Sequence, residues 1–370
     1  MSASYKRLFQ RALAAAPDRL HFAAHSHHLW PDASYVGQIA AWEDGVRLAD
    51  RKWERVMGEI WPAAQGHVAA ELKLPDPATI AFAPNTHDLL LRIVSALPKR
   101  PLRILASDGE FHSFRRQSMR WEEAGTATID RVPLDGLVEA ARVGSYDLIF
   151  TSHVQFGTGH VFDGVAELAE LARPEGPWVV IDGYHGFMAM ETDLSAVADR
   201  IFYLAGGYKY AMAGEGAAFL HAPTGFGPRP EISGWYAEFD DLSLPPCQIG
   251  YAPDARRFLG ATFDPSGIYR FVAVRDMLAD EGVTTDAIAA HASALKAQVL
   301  AAMPLDAELL NPGSPARFLA LRSPKAAEWQ AALERQDVIT DVRGDVLRLG
   351  FGLYQDARDA DRLIGALAAL

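Results

Sequence analysis

Apolar and polar positions change rhythm twice along this chain. Residues 5–16 and 34–61 carry apolar side chains at helical spacing, with Trp42, Trp53 and Trp61 set among charged positions. Between them, residues 21–31 predict a short extended segment and a loop. From about residue 78, short apolar runs at 79–82, 103–106, 148–151, 178–181, 201–204 and 217–220 predict strands, and amphipathic stretches at 87–97, 113–124 and 164–173 predict helices between several of them. That alternation predicts a mostly parallel sheet with helices on both faces. After residue 223 proline, glycine and aromatics dominate until about 267. A long helical stretch over roughly 268–303 then leads into a smaller α+β region, with strands at 317–321, 338–340 and 346–349 and helices at 324–335 and 356–369.

With 370 residues the chain is too long for one small core. The pattern divides it into an N-terminal segment, 1–60, that packs on the small domain and the active site, a large domain over 61–260 and a smaller C-terminal domain over 261–370. A hydrophobic fraction of 49% is that of an ordinary globular protein. The net charge of −12, with no basic stripe, argues against a nucleic-acid surface. The single cysteine, Cys247, excludes a disulfide framework and a thiolate metal cluster. Residues 1–20 lack the apolar core of a signal peptide, and no run reaches membrane-spanning length, so a cytoplasmic location and no membrane partner are expected.

The chemistry concentrates at two strand ends. The run 178–181 ends in Asp182-Gly183-Tyr184-His185, and the run 201–204 in Gly206-Gly207-Tyr208-Lys209-Tyr210. A lysine in an apolar, glycine-flanked turn is pushed toward the neutral amine that forms imines. Paired with an acid on a neighbouring strand end, it matches the needs of pyridoxal 5'-phosphate. Lys209 would hold the aldehyde as a Schiff base, and Asp182 would keep the pyridine nitrogen protonated. A phosphate then belongs at a helix N-terminus, where Pro84-Asn85-Thr86-His87 offers Thr86 and His87, with Tyr208 a third candidate. Glu110-Phe111-His112-Ser113 offers Phe111 or His112 to stack on the ring. Three histidines near residue 25 have no acid or cysteine beside them to complete a metal site, so no metal is expected there and substrate contact is.

Further segments occur in order: Val154-Gln155-Phe156-Gly157-Thr158-Gly159, Gly234-Trp235-Tyr236, and Val338-Ile339-Thr340-Asp341-Val342-Arg343 followed by Leu347-Arg348-Leu349-Gly350-Phe351-Gly352-Leu353-Tyr354. With the lysine and aspartate segments they resemble kynureninase, within the class V aminotransferase group of fold type I pyridoxal phosphate enzymes. The resemblance covers most of the chain from about residue 78. It implies an α/β fold with a large cofactor domain and a small α+β domain, and a homodimer with shared active sites. It casts Lys209 as Schiff-base lysine and proton shuttle, Asp182 as partner of the ring nitrogen and His185 as its neighbour under the ring. Tyr208 would bind the phosphate, Phe111 would stack, Trp235 would approach the cofactor, and Thr262 would reach the phosphate of the second subunit. Arg348 would hold the substrate α-carboxylate. The implied reaction is hydrolytic Cβ–Cγ cleavage of kynurenine or a related amino acid, giving alanine. A class V aminotransferase or lyase on another amino acid is the alternative. Ser26, His28 and Tyr236 fall where the chain departs from kynureninase, around the substrate's aromatic end, and are expected to contact substrate. A cysteine desulfurase is disfavoured because no cysteine follows residue 247.

Overall fold

A computed structural model describes residues 4–238, 243–245 and 247–370. After a two-residue strand β1 (Leu20–His21), seven strands form the central sheet: β2 (Ile80–Ala83), β3 (Leu102–Ser107), β4 (Ala127–Val132), β5 (Leu148–Ser152), β6 (Trp178–Asp182), β7 (Ile201–Gly206) and β8 (Ala218–His221). Their order is β2-β8-β7-β6-β5-β3-β4, with β8 antiparallel to both its neighbours and the other pairs parallel. The five central strands from β8 to β3 are buried almost throughout, which is why they read as continuous apolar runs. β4 escaped that reading because it is an edge strand, Ala-Thr-Ile-Asp-Arg-Val, half of it facing solvent.

The small unit holds β9 (Glu308–Leu309), β10 (Phe318–Arg322), β11 (Val338–Ile339), β12 (Asp341–Arg343) and β13 (Val346–Gly350). Four of these make an antiparallel sheet in the order β12-β13-β10-β9. β11 instead pairs in parallel with β1, so the N-terminal segment is tied to this unit, and Leu20 and Phe22 enter its core. The stretch expected as one helix over 268–303 is two helices, Ser266–Asp280 and Thr285–Ala301, broken at Gly282, where φ is +63°. Buried residues of the first helix join the core of the large sheet, whereas the second helix enters the small core from Ala292 onward. The predicted helix over 34–61 likewise ends early. Asp32–Leu48 is regular, and Ala49 then takes φ 52°.

Helices Asp32–Leu48 and Ser266–Asp280 cross closely at Gly37, where an added Cβ would lie 2.6 Å from the Tyr269 carbonyl oxygen and 2.8 Å from Arg270 Cα. Both are backbone atoms and cannot step aside. Gly37→Ala is therefore expected to lower stability by about 2 kcal/mol despite alanine's better helix propensity, read as a lower urea midpoint with unchanged slope. This crossing bears on the site. Arg270 Nε donates to the Ala213 carbonyl at 2.7 Å and its Nη2 to that of Glu215, fastening the loop that follows Lys209.

Candidate active site

The carboxyl ends of β5, β6 and β7 lie side by side, and a ligand crevice is expected beyond such ends. Ser152 is in register with Asp182, and Asp182 with Leu204. Beyond β7 the chain folds back as Ala213 N–H donates to the Gly207 carbonyl at 2.8 Å and Met212 N–H to that of Lys209 at 3.0 Å. Gly214 closes the turn at φ +71°, with the Trp30 ring where a side chain would stand. This turn aims Lys209 back over the strand ends.

A cavity of about 200 Å³ opens there, lined by Thr86, His87, Phe111, Asp182, His185, Tyr208 and Lys209. Seven of the residues singled out from sequence thus meet in one place. Lys209 Nζ lies 2.6 Å from His185 Nε2, 5.0 Å from the centre of the Tyr184 ring and 5.6 Å from that of Phe111. Burial, opposed by Asp182, brings the Lys209 amine down to about 7. Burial raises the Asp182 carboxyl, against the Tyr184 N–H that donates to it at 2.9 Å and the charge of Lys209. Burial also holds His185 well below its usual range, so its ring is neutral.

The remaining candidates are placed elsewhere. Both ring nitrogens of His28 are engaged by backbone: Nδ1 with the Leu29 carbonyl at 2.7 Å, and Nε2 accepting from Leu353 N–H at 3.3 Å. His28 therefore ties the N-terminal loop to the small unit and has no nitrogen left for a substrate. Ser26 shapes the same loop through its N–H to the Ala23 carbonyl, 2.9 Å. It is His27 that approaches the cavity, 5.3 Å from the Tyr208 ring. Tyr236 is buried between Trp235 and Trp53, with ring centres at 4.3 and 5.8 Å, and is not among the lining residues. Trp235 Nε1 donates to Thr262 Oγ1 at 3.0 Å at an exposed position. Arg348 is buried beside Phe156, whose ring lines the cavity and whose carbonyl it contacts, and its Nη2 is paired with Asp341.

Tyr184, Phe156 and Glu110 stand within the motifs named from sequence and Ser152 just after the run 148–151, but sequence assigns none of them a role. Glu110 is almost wholly buried and accepts from Ser107 Oγ (2.5 Å), Ser152 N (3.0 Å) and Ser152 Oγ (2.6 Å). Burial prevails over those hydrogen bonds and lifts its carboxyl to about 7. An acid just before a helix reads as surface capping, so only its place beside Phe111 points to the site.

These groups fit pyridoxal 5'-phosphate. A lysine held near neutrality suits an aldehyde, and the half-buried Asp182 carboxylate lies on the same cavity for a pyridinium nitrogen. The N-terminus of helix Thr86–Ser95 opens onto it for an anion, with Asn85 capping the Asp88 N–H at 2.9 Å. His87 Nδ1 and His185 Nδ1 are buried without a partner among the described residues. Among those residues no helix is long and apolar enough to cross a membrane.

No protein-family profile matches the chain. It is 30% identical over 344 residues to isopenicillin N epimerase of Streptomyces clavuligerus, a match covering 84% of each protein. Its fold resembles that of the cystine C–S lyase C-DES (17% identity, TM-score 0.80, 96% of this chain and 99% of that one). It also resembles the cysteine desulfurase CsdA of Escherichia coli (17%, 0.79, 98% and 96%) and a cysteine desulfurase of Thermococcus onnurineus NA1 (16%, 0.80, 100% and 99%). The fold is that of the fold type I enzymes, and the chain belongs to the isopenicillin N epimerase family of class V pyridoxal phosphate-dependent enzymes.

Proposed function

We propose that this protein is a pyridoxal phosphate-dependent enzyme that moves a proton at the α-carbon of an amino acid, of the class V aminotransferase or lyase kind. The observation that carries the reading is a lysine amine poised near neutrality, 2.6 Å from a neutral imidazole and on one cavity with the half-buried Asp182 carboxylate. Lys209, Asp182, His185, Thr86, His87, Tyr208 and Phe111 would hold the cofactor. When bound, it supplies an electron sink for the pair left on the α-carbon. Lys209 Nζ takes and returns the proton, and His185 stabilises that nitrogen in either state. Phe111, Phe156 and Tyr184 exclude water from it. Arg348 would orient the substrate through its carboxylate. Removal of an α-proton is also what inverting a stereocentre requires, and the similar protein is named for an epimerase.

Kynureninase-like cleavage is the second reading, favoured by the aromatic walls: Phe111, Phe114, Phe150, Phe156 and Tyr184 suit a flat aromatic side chain. Sulfur transfer is not favoured, because the one cysteine, Cys247, precedes the small unit. A homodimer accords with the exposed Trp235, hydrogen-bonded to Thr262, and with the exposed Ile232 and Ile249.

The test is exchange of the α-hydrogen for deuterium, followed by NMR across a panel of amino acids with the cofactor-loaded protein. Exchange in at least one amino acid supports the reading, and none across the panel overturns it. Alanine plus an anthranilate-type acid from kynurenine would select the second reading, and a keto acid or an inverted centre the first. Cofactor uptake by the apo-protein offers a pH check. Lys209 is protonated below about 7 and neutral above it, so the rate of uptake should climb as pH rises through about 7 and then level off. A flat profile would remove Lys209 as the reacting amine.

A further inference from the structure

Arg348 is expected to hold a substrate carboxylate, yet it already carries an internal anion. Asp341 accepts from Arg348 Nη2 through Oδ2 and from Arg343 Nη1 through Oδ1, the latter at 2.6 Å. His25 Nε2 stands 3.6 Å from the same Oδ2. Against the effect of burial, His25 and the two arginines hold the Asp341 carboxyl down to about 2, so it is ionised. Burial takes the His25 imidazole down to about 3, leaving it neutral. The other titratable groups facing this cluster are His185, also neutral, Lys209, whose charge is met by Asp182, and Tyr208 and Tyr210, whose phenols burial raises and keeps neutral. Two arginines and one aspartate leave a single net positive charge. Arg348 spends one N–H on the Phe156 carbonyl and one on Asp341, and its buried Nε has no partner among the described residues. Of five guanidinium N–H groups, the rest remain for one more carboxylate.

We propose that Asp341, bridging Arg343 and Arg348, is the specificity-determining residue of the carboxylate end of this site. By leaving the cluster one net charge, it selects amino acids with a single carboxylate and an uncharged side chain. The apolar walls of the adjoining cavity, Leu90, Phe114, Phe150 and Leu204 among them, offer no countercharge to a second carboxylate. Arg343 is 43% exposed and lies on the far side of Asp341, so it acts through charge and not by touching substrate. The inference rests on the reading of Arg348 as the substrate's carboxylate partner.

Calorimetric titration of the cofactor-loaded protein with propionate and succinate, amine-free probes bearing one and two carboxylates, tests it. Wild type should bind propionate at least as tightly as succinate. Each unit of charge at this depth should change affinity by about ten-fold. Asp341→Asn raises the net charge and should gain about ten-fold for succinate, whereas Arg343→Gln cancels it and should lose about ten-fold for propionate. The double variant restores one net charge and should return to wild-type affinity for propionate. Arg343 is exposed, so its variant keeps the test alive if Asp341→Asn fails to fold. A double variant that does not recover, or an Asp341→Asn that loses both probes as a mere orienter of Arg348 would, overturns the proposal. So does propionate binding that is indifferent to Arg348→Gln. Visible absorbance of the bound cofactor is read on the same samples. If it persists while the charge order fails, this inference falls alone; if it never forms, the proposed function falls first.

Discussion

Lys209→Ala is expected to abolish the Schiff-base absorbance band of the cofactor-loaded protein and to cut turnover by about 10³-fold or more. The amine is the only lysine nitrogen among the residues lining the cavity, and it sits 2.6 Å from His185. Alanine removes the covalent attachment and the proton-transfer group together. His185 cannot replace it, because burial keeps its imidazole neutral and far less basic than the lysine. The phosphate end of the site, at helix Thr86–Ser95, is untouched, so the variant should still bind the cofactor reversibly, as dialysis against a fluorescent readout would show. Retention of wild-type turnover in this variant would sink the enzymatic reading.

Asp182→Asn is expected to cost about 10²–10³-fold in kcat with the cofactor still retained. Asparagine keeps the shape and can still accept the Tyr184 N–H, but it carries no charge to hold a proton on a ring nitrogen. A second readout follows from the pairing with Lys209. Asp182 raises the basicity of that amine, so its loss should move the midpoint of pH-dependent cofactor uptake to below about 7. A kcat and an uptake midpoint both unchanged from wild type would remove Asp182 from the site.

Much of this arrangement is legible in the chain because a parallel sheet places strand ends together. Once 178–181 and 201–204 read as buried strands, the residues after them had to share one edge of the sheet. Asp182, Lys209, Thr86 and Phe111 could be gathered on that ground alone. The edge strand β4 was hidden by its polar outer face, and the break at Gly282 by a helical rhythm that continues on both sides of it.

The N-terminal loop shows the opposite case. His25, His27 and His28 are near neighbours in sequence and equal in chemistry, but they diverge. His25 stacks on Phe318 at 4.9 Å near Asp341, His27 turns to Tyr208, and His28 is consumed by backbone. Spacing of one to three residues in a loop carries no periodicity, so no pattern could have sorted them.

By itself the sequence determined the α/β class, the strand-end placement of Lys209 and Asp182 and the helix N-terminus at Thr86, because burial and backbone hydrogen bonding act on local patterns. Alternation along the strand also sets Arg348 on the opposite face from Leu347 and Leu349. Only the tertiary structure decided which face that was. The leucines fill the small core, whereas Arg348 turns with Phe318 and Gly350 toward Phe156, which lines the cavity, and is already held by Asp341. The partner of a charged side chain is set by what the fold brings within hydrogen-bond reach, and alternation along one strand cannot encode it.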